Sequence, residues 1–189
     1  DATATTAQFV LRKKDSYSGV SLEGAEFTIF QYDTVSGRFV PWTGNGTGTL
    51  TTDKNGQASL AVLDSETASC LKPDVLYKLV ETKAPTDYQL DATPHYLLFR
   101  KNASAENEQQ AFAKATGQAD GTTTLTVDGE TVDLNRNVQV GSDAGTTTAE
   151  YSNVYSNLTV SKLGLDQDTK QPVKPAGDSI HIKGWQYTD

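Results

Sequence analysis

The chain has 189 residues, with 16 Lys and Arg against 24 Asp and Glu, for a net charge of −8. That balance excludes a nucleic-acid or anionic-membrane surface, which needs a basic patch, and no apolar run is long enough to span a bilayer. A single cysteine rules out an internal disulfide, methionine is absent and long amphipathic helical patterns are scarce, so the composition fits an extracellular β-protein stabilised by other means. Asp1 opens no signal-peptide pattern, and a mature or excised segment is expected.

In chain order, residues 8–15 (QFVLRKKD) alternate, placing Phe9, Leu11 and Lys13 on one face and Val10, Arg12 and Lys14 on the other. A turn at 16–19 leads to a second strand at 25–32 (AEFTIFQY), with Ala25, Phe27 and Ile29 toward the core. Ser36-Gly37 is a turn signal before a short strand at 38–42, and 45–48 is a Gly-rich loop. Asp53-Lys54-Asn55-Gly56 is a turn between strands at 49–52 and 57–62, with Asn-Gly suited to positive φ. Residues 65–73 read as loop or a short helical turn. A strand at 76–82 carries Tyr77, Leu79 and Glu81 on one face and stops before Pro85. Residues 95–101 (HYLLFRK) form another strand.

From about 102 to 148 the character changes. A short surface helix is expected at 104–115, and a hairpin at 122–134 around Asp128-Gly129. These read as an insertion before the last strand, 150–155 (EYSNVY), which puts Tyr151, Asn153 and Tyr155 on one face. Residues 157–163 (NLTVSKL) echo 9–14, and 180–182 supply one more strand. A stretch of about 33 residues cannot bury a core alone. Residues 1–156 are therefore expected to form one β-sandwich domain, and 157–189 the start of a following β module or a C-terminal extension. Many short strands separated by turn signals indicate an all-β sandwich.

Three polar residues on three strands share the apolar phase: Lys13, Glu81 and Asn153. A buried lysine loses its preference for the ammonium form, and a buried glutamate gains one for the protonated form. If the three meet, the amine can attack the Asn153 carboxamide while Glu81 shuttles protons and ammonia leaves. The product is a Lys–Asn isopeptide crosslink, made once per molecule rather than by turnover. The bland alternative is a buried Lys–Glu ion pair with Asn153 hydrogen-bonded nearby, and alternation alone favours it, since strand faces are easily misassigned by one residue.

Four segments resemble the Cna protein B-type (SpaA-like pilin) domain of Gram-positive pilins and surface adhesins. They are Leu11-Arg12-Lys13-Lys14-Asp15, Gly24-Ala25-Glu26-Phe27, Thr52-Asp53-Lys54-Asn55-Gly56 and the glutamate box Tyr77-Lys78-Leu79-Val80-Glu81-Thr82-Lys83-Ala84-Pro85. The resemblance covers about 1–100 and 149–156. It implies an immunoglobulin-like, transthyretin-like β-sandwich in a cell-wall-anchored, extracellular setting. It implies Lys13 rather than Lys14 as the crosslinking lysine, Glu81 as the acid/base and an acceptor near the end of the last strand, which fits Asn153. Two departures are notable: Asp87 stands where the family usually has glycine, and the insertion loosens the register of the last strand, leaving Asn157 as a rival acceptor. The lysine strand at Lys162 has no glutamate or acceptor of its own in view.

Weaker signals have plain explanations. Cys70 is more simply a semi-buried thiol than half of a Cys–Gln thioester. Residues 44–48 (GNGTG) lack the Gly-Lys-Ser/Thr of a phosphate loop. Asp53-Lys54-Asn55 and Asp166-Gln167-Asp168 do not complete a calcium loop, and His95 and His181 lack a ligand cluster, so neither metal nor cofactor is expected. Asn45, Asn102 and Asn157 head N-x-Ser/Thr sequons, which mean little if the source is bacterial. Trp42 and Trp185 suit packing better than sugar stacking. No Ser/His/Asp set or further carboxylate pair supports a hydrolytic enzyme.

The expected function is therefore a structural module of a pilus subunit or adhesin stalk. Its partners are other pilin subunits, or the cell wall through a sortase, although no Leu-Pro-x-Thr-Gly sorting signal is present. The alternative is an adhesin domain that binds a host protein or glycan through the insertion.

Overall fold

The computed structural model describes residues 6–66 and 69–156, together with the backbone of four short strands between 159 and 181. In chain order the elements are β1 (Ala7–Asp15), β2 (Glu26–Asp33), β3 (Arg38–Pro41), β4 (Thr49–Thr51), β5 (Gln57–Val62), β6 (Leu76–Lys83), β7 (His95–Arg100), α1 (Glu108–Thr116), β8 (Thr124–Val127), β9 (Glu130–Asp133), β10 (Val138–Ser142) and β11 (Thr146–Asn153). After these, β12 (Thr159–Ser161) pairs with β15 (Ser179–His181), and β13 (Gly164–Leu165) with β14 (Pro172–Val173). The rival acceptor Asn157, Lys162 and Trp185 lie outside the described residues.

Two sheets form the sandwich expected from the strand pattern. The small sheet has the order β11-β1-β5, and the large one β10-β7-β6-β2-β3, with β4 also on β2. In β1 the residues at period two, Ala7, Phe9, Leu11, Lys13 and Asp15, all point inward. Phe27 and Ile29 of β2, Tyr77 and Leu79 of β6, Leu97 and Phe99 of β7 and Ala149 of β11 meet them in one core. First and last strands lie side by side in parallel, with Lys13 opposite Tyr151 and Asp15 opposite Asn153.

The turn at 53–56 forms between β4 and β5, closed by the Gly56 amide donating to the Asp53 carbonyl at 2.8 Å. Gly56 takes the left-handed conformation (φ 73°), whereas Asn55 does not, so only half of the expected Asn-Gly signal is used. Gly56 also allows close approach: an added Cβ would stand 2.8 Å from the Lys13 carbonyl oxygen. The Lys13 amide donates to the Gly56 carbonyl at 2.8 Å, which pins β1 at the lysine. At the second hairpin both Asp128 (φ 52°) and Gly129 (φ 81°) are left-handed, as the two-residue turn requires.

Three expectations are corrected. The helix begins at Glu108 rather than 104, because Asn107 caps it: its side chain accepts from the Gln110 amide, and the Gln110 side chain accepts from the Asn107 amide. Nor is it a free surface helix, since Ala111, Phe112 and Ala115 are buried. Residues 138–142, for which no strand is expected from the sequence, form β10 and add an edge to the large sheet beside β7. The last strand begins at Thr146 and ends at Asn153; Tyr155 makes only an isolated bridge with Tyr88.

The helix and the β8–β9 hairpin cover the outer face of the large sheet. Leu76 and Leu98 from that face pack with Ala111, Phe112, Leu125, Val127, Val132 and Leu134 in a second core. Phe112 is wholly buried there. Phe112→Ala should cost about 3–5 kcal/mol, read as a lower midpoint in urea denaturation, with near-complete loss of the helix signal before the sandwich melts.

Candidate functional site

Lys13 and Asn153 come from the small sheet and Glu81 from the facing one, and each is 1% exposed. Lys13 Nζ lies 3.0 Å from Glu81 Oε1. Asn153 Nδ2 donates to Glu81 Oε2 at 2.8 Å. One carboxylate therefore touches both partners, a different oxygen for each. Lys13 Nζ also donates to the Ser152 carbonyl at 3.3 Å, and its ammonium lies 5.3 Å above the Phe27 ring. The second hydrogen of Asn153 Nδ2 goes to the Gln89 carbonyl at 2.9 Å, while Asn153 Oδ1 is buried with no donor. Glu81 Oε2 also receives the Asp91 amide at 2.9 Å.

Aromatic rings wall the site. His95 stacks on Tyr151 with centroids 3.8 Å apart, and Phe27 lies 5.8 Å from Tyr151. Burial pushes the Lys13 ammonium below its ordinary value, against the opposing pull of Glu81. Burial likewise lowers His95, and it raises the Tyr151 phenol. The pocket thus disfavours charge on Lys13, His95 and Tyr151. Chemically, the arrangement offers an amine, a carboxamide and a carboxylate bridging the two. Lys14, by contrast, points outward to an exposed ion pair with Glu150, where a pair contributes little.

Period-two reasoning located the three side chains but missed the backbone groups of Gln89, Asp91 and Ser152 that hold them. It also missed Tyr88 and Asp15, whose hydrogen bond spans 2.6 Å. The available signal was Asp15 itself, a charged residue two positions after Lys13 on the same inward face. Cys70 is a buried free thiol. Among the described residues no group of three or more His, Cys, Asp or Glu is arranged to hold a metal ion, and no helix is long and apolar enough to cross a membrane.

An acidic pair, Asp74 partly buried and Glu106 fully so, joins the sandwich to the helix layer. Asp74, before β6, has Glu106, before α1, as a neighbouring carboxyl, and Asp74 Oδ1 is buried without a hydrogen-bond partner. Glu106 also meets Lys114 Nζ at 2.6 Å and the Lys101 amide at 2.9 Å. Lys101 Nζ stands 3.6 Å from Asp74. Lys114 is more than half exposed and held above its ordinary value by Glu106, so it stays an ammonium ion and no nucleophile. Burial and then Glu106 push the Asp74 carboxyl up to about 7. Burial opposes ionisation of Glu106, but the neighbouring Asp74 carboxyl and bonds from the Lys101 amide and Lys114 prevail and bring it down to about 2.

The family described as the SpaA prealbumin-like fold domain matches residues 7–111, more than half of the chain. Solved structures with a similar arrangement include the full-length major pilin SpaD of Corynebacterium diphtheriae, at 20% identity over 82% of this chain and 31% of that one (TM-score 0.44). The pilus 2b backbone protein of group B streptococcus is 18% identical over 82% of this chain and 43% of that one (TM-score 0.39). The major pilin BcpA of Bacillus cereus is 19% identical over 80% of this chain and 31% of that one (TM-score 0.38). The chain spans less than half the length of each. No functionally curated protein matches.

The acidic pair predicts a pH dependence. Asp74 binds its proton more tightly folded than unfolded, so the stability it confers is present below about pH 4 and lost as pH rises through about 7. Glu106 does the reverse, and its contribution is lost as pH falls toward about 2. Thermal midpoints should therefore decline between about pH 4 and 7, and Asp74→Asn should flatten that decline.

Proposed function

The chain belongs to the SpaA prealbumin-like fold family, and from that premise we propose that it is a structural module of a Gram-positive pilus subunit or surface adhesin. In this reading residues 1–156 act as one mechanical unit and 157–189 begin the next, in an extracellular, cell-wall-linked assembly with other pilin subunits. The unit is locked by a self-made amide between Lys13 and Asn153.

The observation that supports the lock is the bridging carboxylate: Glu81 Oε1 on the lysine nitrogen, Oε2 on the asparagine nitrogen. In a buried site, transfer of a proton from the ammonium to Glu81 converts an ion pair into two neutral groups, which burial favours. The neutral Lys13 amine then attacks Asn153 Cγ. Glu81 delivers a proton to Nδ2, the C–N bond breaks, and ammonia leaves as the Nζ–Cγ amide forms. Lysine nitrogen loses two hydrogens in all, both of which depart with the former Asn153 nitrogen as ammonium, and Glu81 returns to its carboxylate. Fixed geometry replaces a catalyst that turns over, since positioned groups reach effective molarities of about 10⁵ M or more. The aromatic walls then shield the amide from hydrolysis.

The helix and hairpin spend their apolar residues on the outer face of the large sheet. That use favours reinforcement over ligand capture by the insertion.

Intact mass should fall short of the sequence mass by one ammonia, with a crosslinked peptide joining Lys13 to Asn153. Lys13→Met, Glu81→Gln and Asn153→Ala should each restore the full mass. By the chain-entropy logic of a long closed loop, the uncrosslinked variants should lose up to about 5 kcal/mol of stability. A full mass in the unaltered chain would leave only a buried polar cluster. A deficit of one water would instead point to an aspartate acceptor.

A further inference from the structure

Residues 84–94, between β6 and β7, have little regular structure, yet two of their backbone groups reach the candidate site. The segment turns at Pro85, whose carbonyl accepts from the Tyr88 amide at 3.0 Å, and passes through Asp87 in the left-handed conformation (φ 74°). It then runs beside the end of β11. The Gln89 amide donates to the Val154 carbonyl at 2.9 Å, the Ser156 amide donates to the Asp87 carbonyl at 2.8 Å, and Tyr88 bridges Tyr155.

Two backbone groups of this segment reach the reacting atoms. The Gln89 carbonyl holds one hydrogen of Asn153 Nδ2, and the Asp91 amide donates to Glu81 Oε2. With Glu81 Oε2 on the other hydrogen, both Nδ2 hydrogens are held, so the plane of the carboxamide is fixed. A half-turn about the last side-chain bond would set Asn153 Oδ1 against the Gln89 carbonyl oxygen and Glu81 Oε2, two acceptors. The segment therefore selects the orientation in which nitrogen, the leaving atom, faces the proton donor.

What fastens the segment is Tyr88. Its hydroxyl donates to Asp15 Oδ2 at 2.6 Å, a short bond to a charged acceptor. The other oxygen of Asp15 holds the Tyr17 and Ser18 amides at 2.8 Å. Asp15 lies two residues after Lys13 on the same face of β1, and the next amide, Ser16, donates to the Asn153 carbonyl at 2.9 Å. Nucleophile strand, acceptor strand and intervening segment thus meet at one clasp. The bond from Tyr88 holds the Asp15 carboxyl down at about 2 and raises the phenol to about 12, so neither partner changes charge over the range in which the protein would work.

We infer that residues 85–91 are a strap that presents the Asn153 carboxamide to Lys13, with Tyr88 and Asp15 as positioning residues for amide formation. This rests on the crosslinking reading above. Neither residue exchanges a proton with the reacting atoms, and their effect passes through the Gln89 carbonyl and the Asp91 amide.

The test is a time course of ammonia loss, read by intact mass, on full chain made in a short cell-free translation pulse. Tyr88→Phe removes only the hydroxyl and keeps the ring against Tyr155. It should slow crosslinking about ten- to a hundredfold, the cost of a small misplacement of reacting groups, while the reaction still runs to completion. Asp15→Asn can keep a bond to Tyr88 by donating from its amide and should recover most of the rate, whereas Asp15→Ala should not. In the unreactive Lys13→Met chain, Tyr88→Phe should also speed solvent exchange of the Asn153 side-chain amide hydrogens, a signal that general loss of stability would spread over the whole core instead. If the unaltered chain crosslinks and Tyr88→Phe does so at the same rate, the strap is overturned and the crosslink stands. If the unaltered chain never loses ammonia, both are overturned. Should Tyr88→Phe fail to fold, the comparison of Asp15→Asn with Asp15→Ala decides: equal rates overturn the strap.

Discussion

The interior of this sandwich is organised around a carboxylate that burial has stripped of solvent. Removing an ionised side chain from water costs several kcal/mol even after relaxation, so Glu81 must be met by donors from within the fold. They arrive from three places: the Lys13 ammonium on β1, the Asn153 amide on β11 and the Asp91 backbone amide between β6 and β7. Each belongs to a different part of the chain, so satisfying this one group fixes the two sheets, their first and last strands and the segment between β6 and β7 relative to each other. Loss of any donor leaves a buried charge uncompensated, which is costlier than the pair was favourable.

The outer layer solves a different problem. β6 and β7 are central strands of the large sheet, and they carry apolar side chains on both faces: Tyr77 and Leu97 inward, Leu76 and Leu98 outward. A sheet apolar on both sides needs two covers. The small sheet supplies one, and the helix with its hairpin supplies the other. The Asp74–Glu106 pair and its lysines join these layers at one margin. The two cores share β6 and β7 as a common wall, so displacement of the helix would be felt on the face that carries Glu81.

The candidate triad was legible because a strand's period of two makes a polar residue in the apolar phase conspicuous. Lys13 follows Phe9 and Leu11, and Glu81 follows Tyr77 and Leu79; each conflict between pattern and polarity marks a group that needs a partner. Asn153 was legible only relative to Tyr151, since the strand's start at Thr146 is hidden in a run of threonines. The Gln89 carbonyl and Asp91 amide were not legible at all, because main-chain groups in irregular backbone leave no trace in side-chain pattern. β10 was missed for a similar reason: Val138 and Val140 alternate, but the strand is short and contains Gly141, needed where it approaches Thr147. The double-faced burial of β7 did have a signal, the unbroken run Tyr96-Leu97-Leu98-Phe99, which does not alternate as a one-sided strand should. Read that way, it also explains why the helix is no surface ornament.

The parallel pairing of β1 with β11 sets how the module would bear a load. The chain runs into the sandwich along β1 and out along β11 in the same direction, with eight residues of each in register from Gln8 opposite Thr146 to Asp15 opposite Asn153. Tension applied at the start of β1 and the end of β11 pulls these neighbours past each other. All the hydrogen bonds between them are then strained together in shear, not one at a time as when a hairpin unzips. A covalent tie placed near the far end of that pair would carry the force directly from one strand to the other. Everything between Lys13 and Asn153, the helix layer and its core included, would then stand outside the line of tension and could stay folded while the chain is taut.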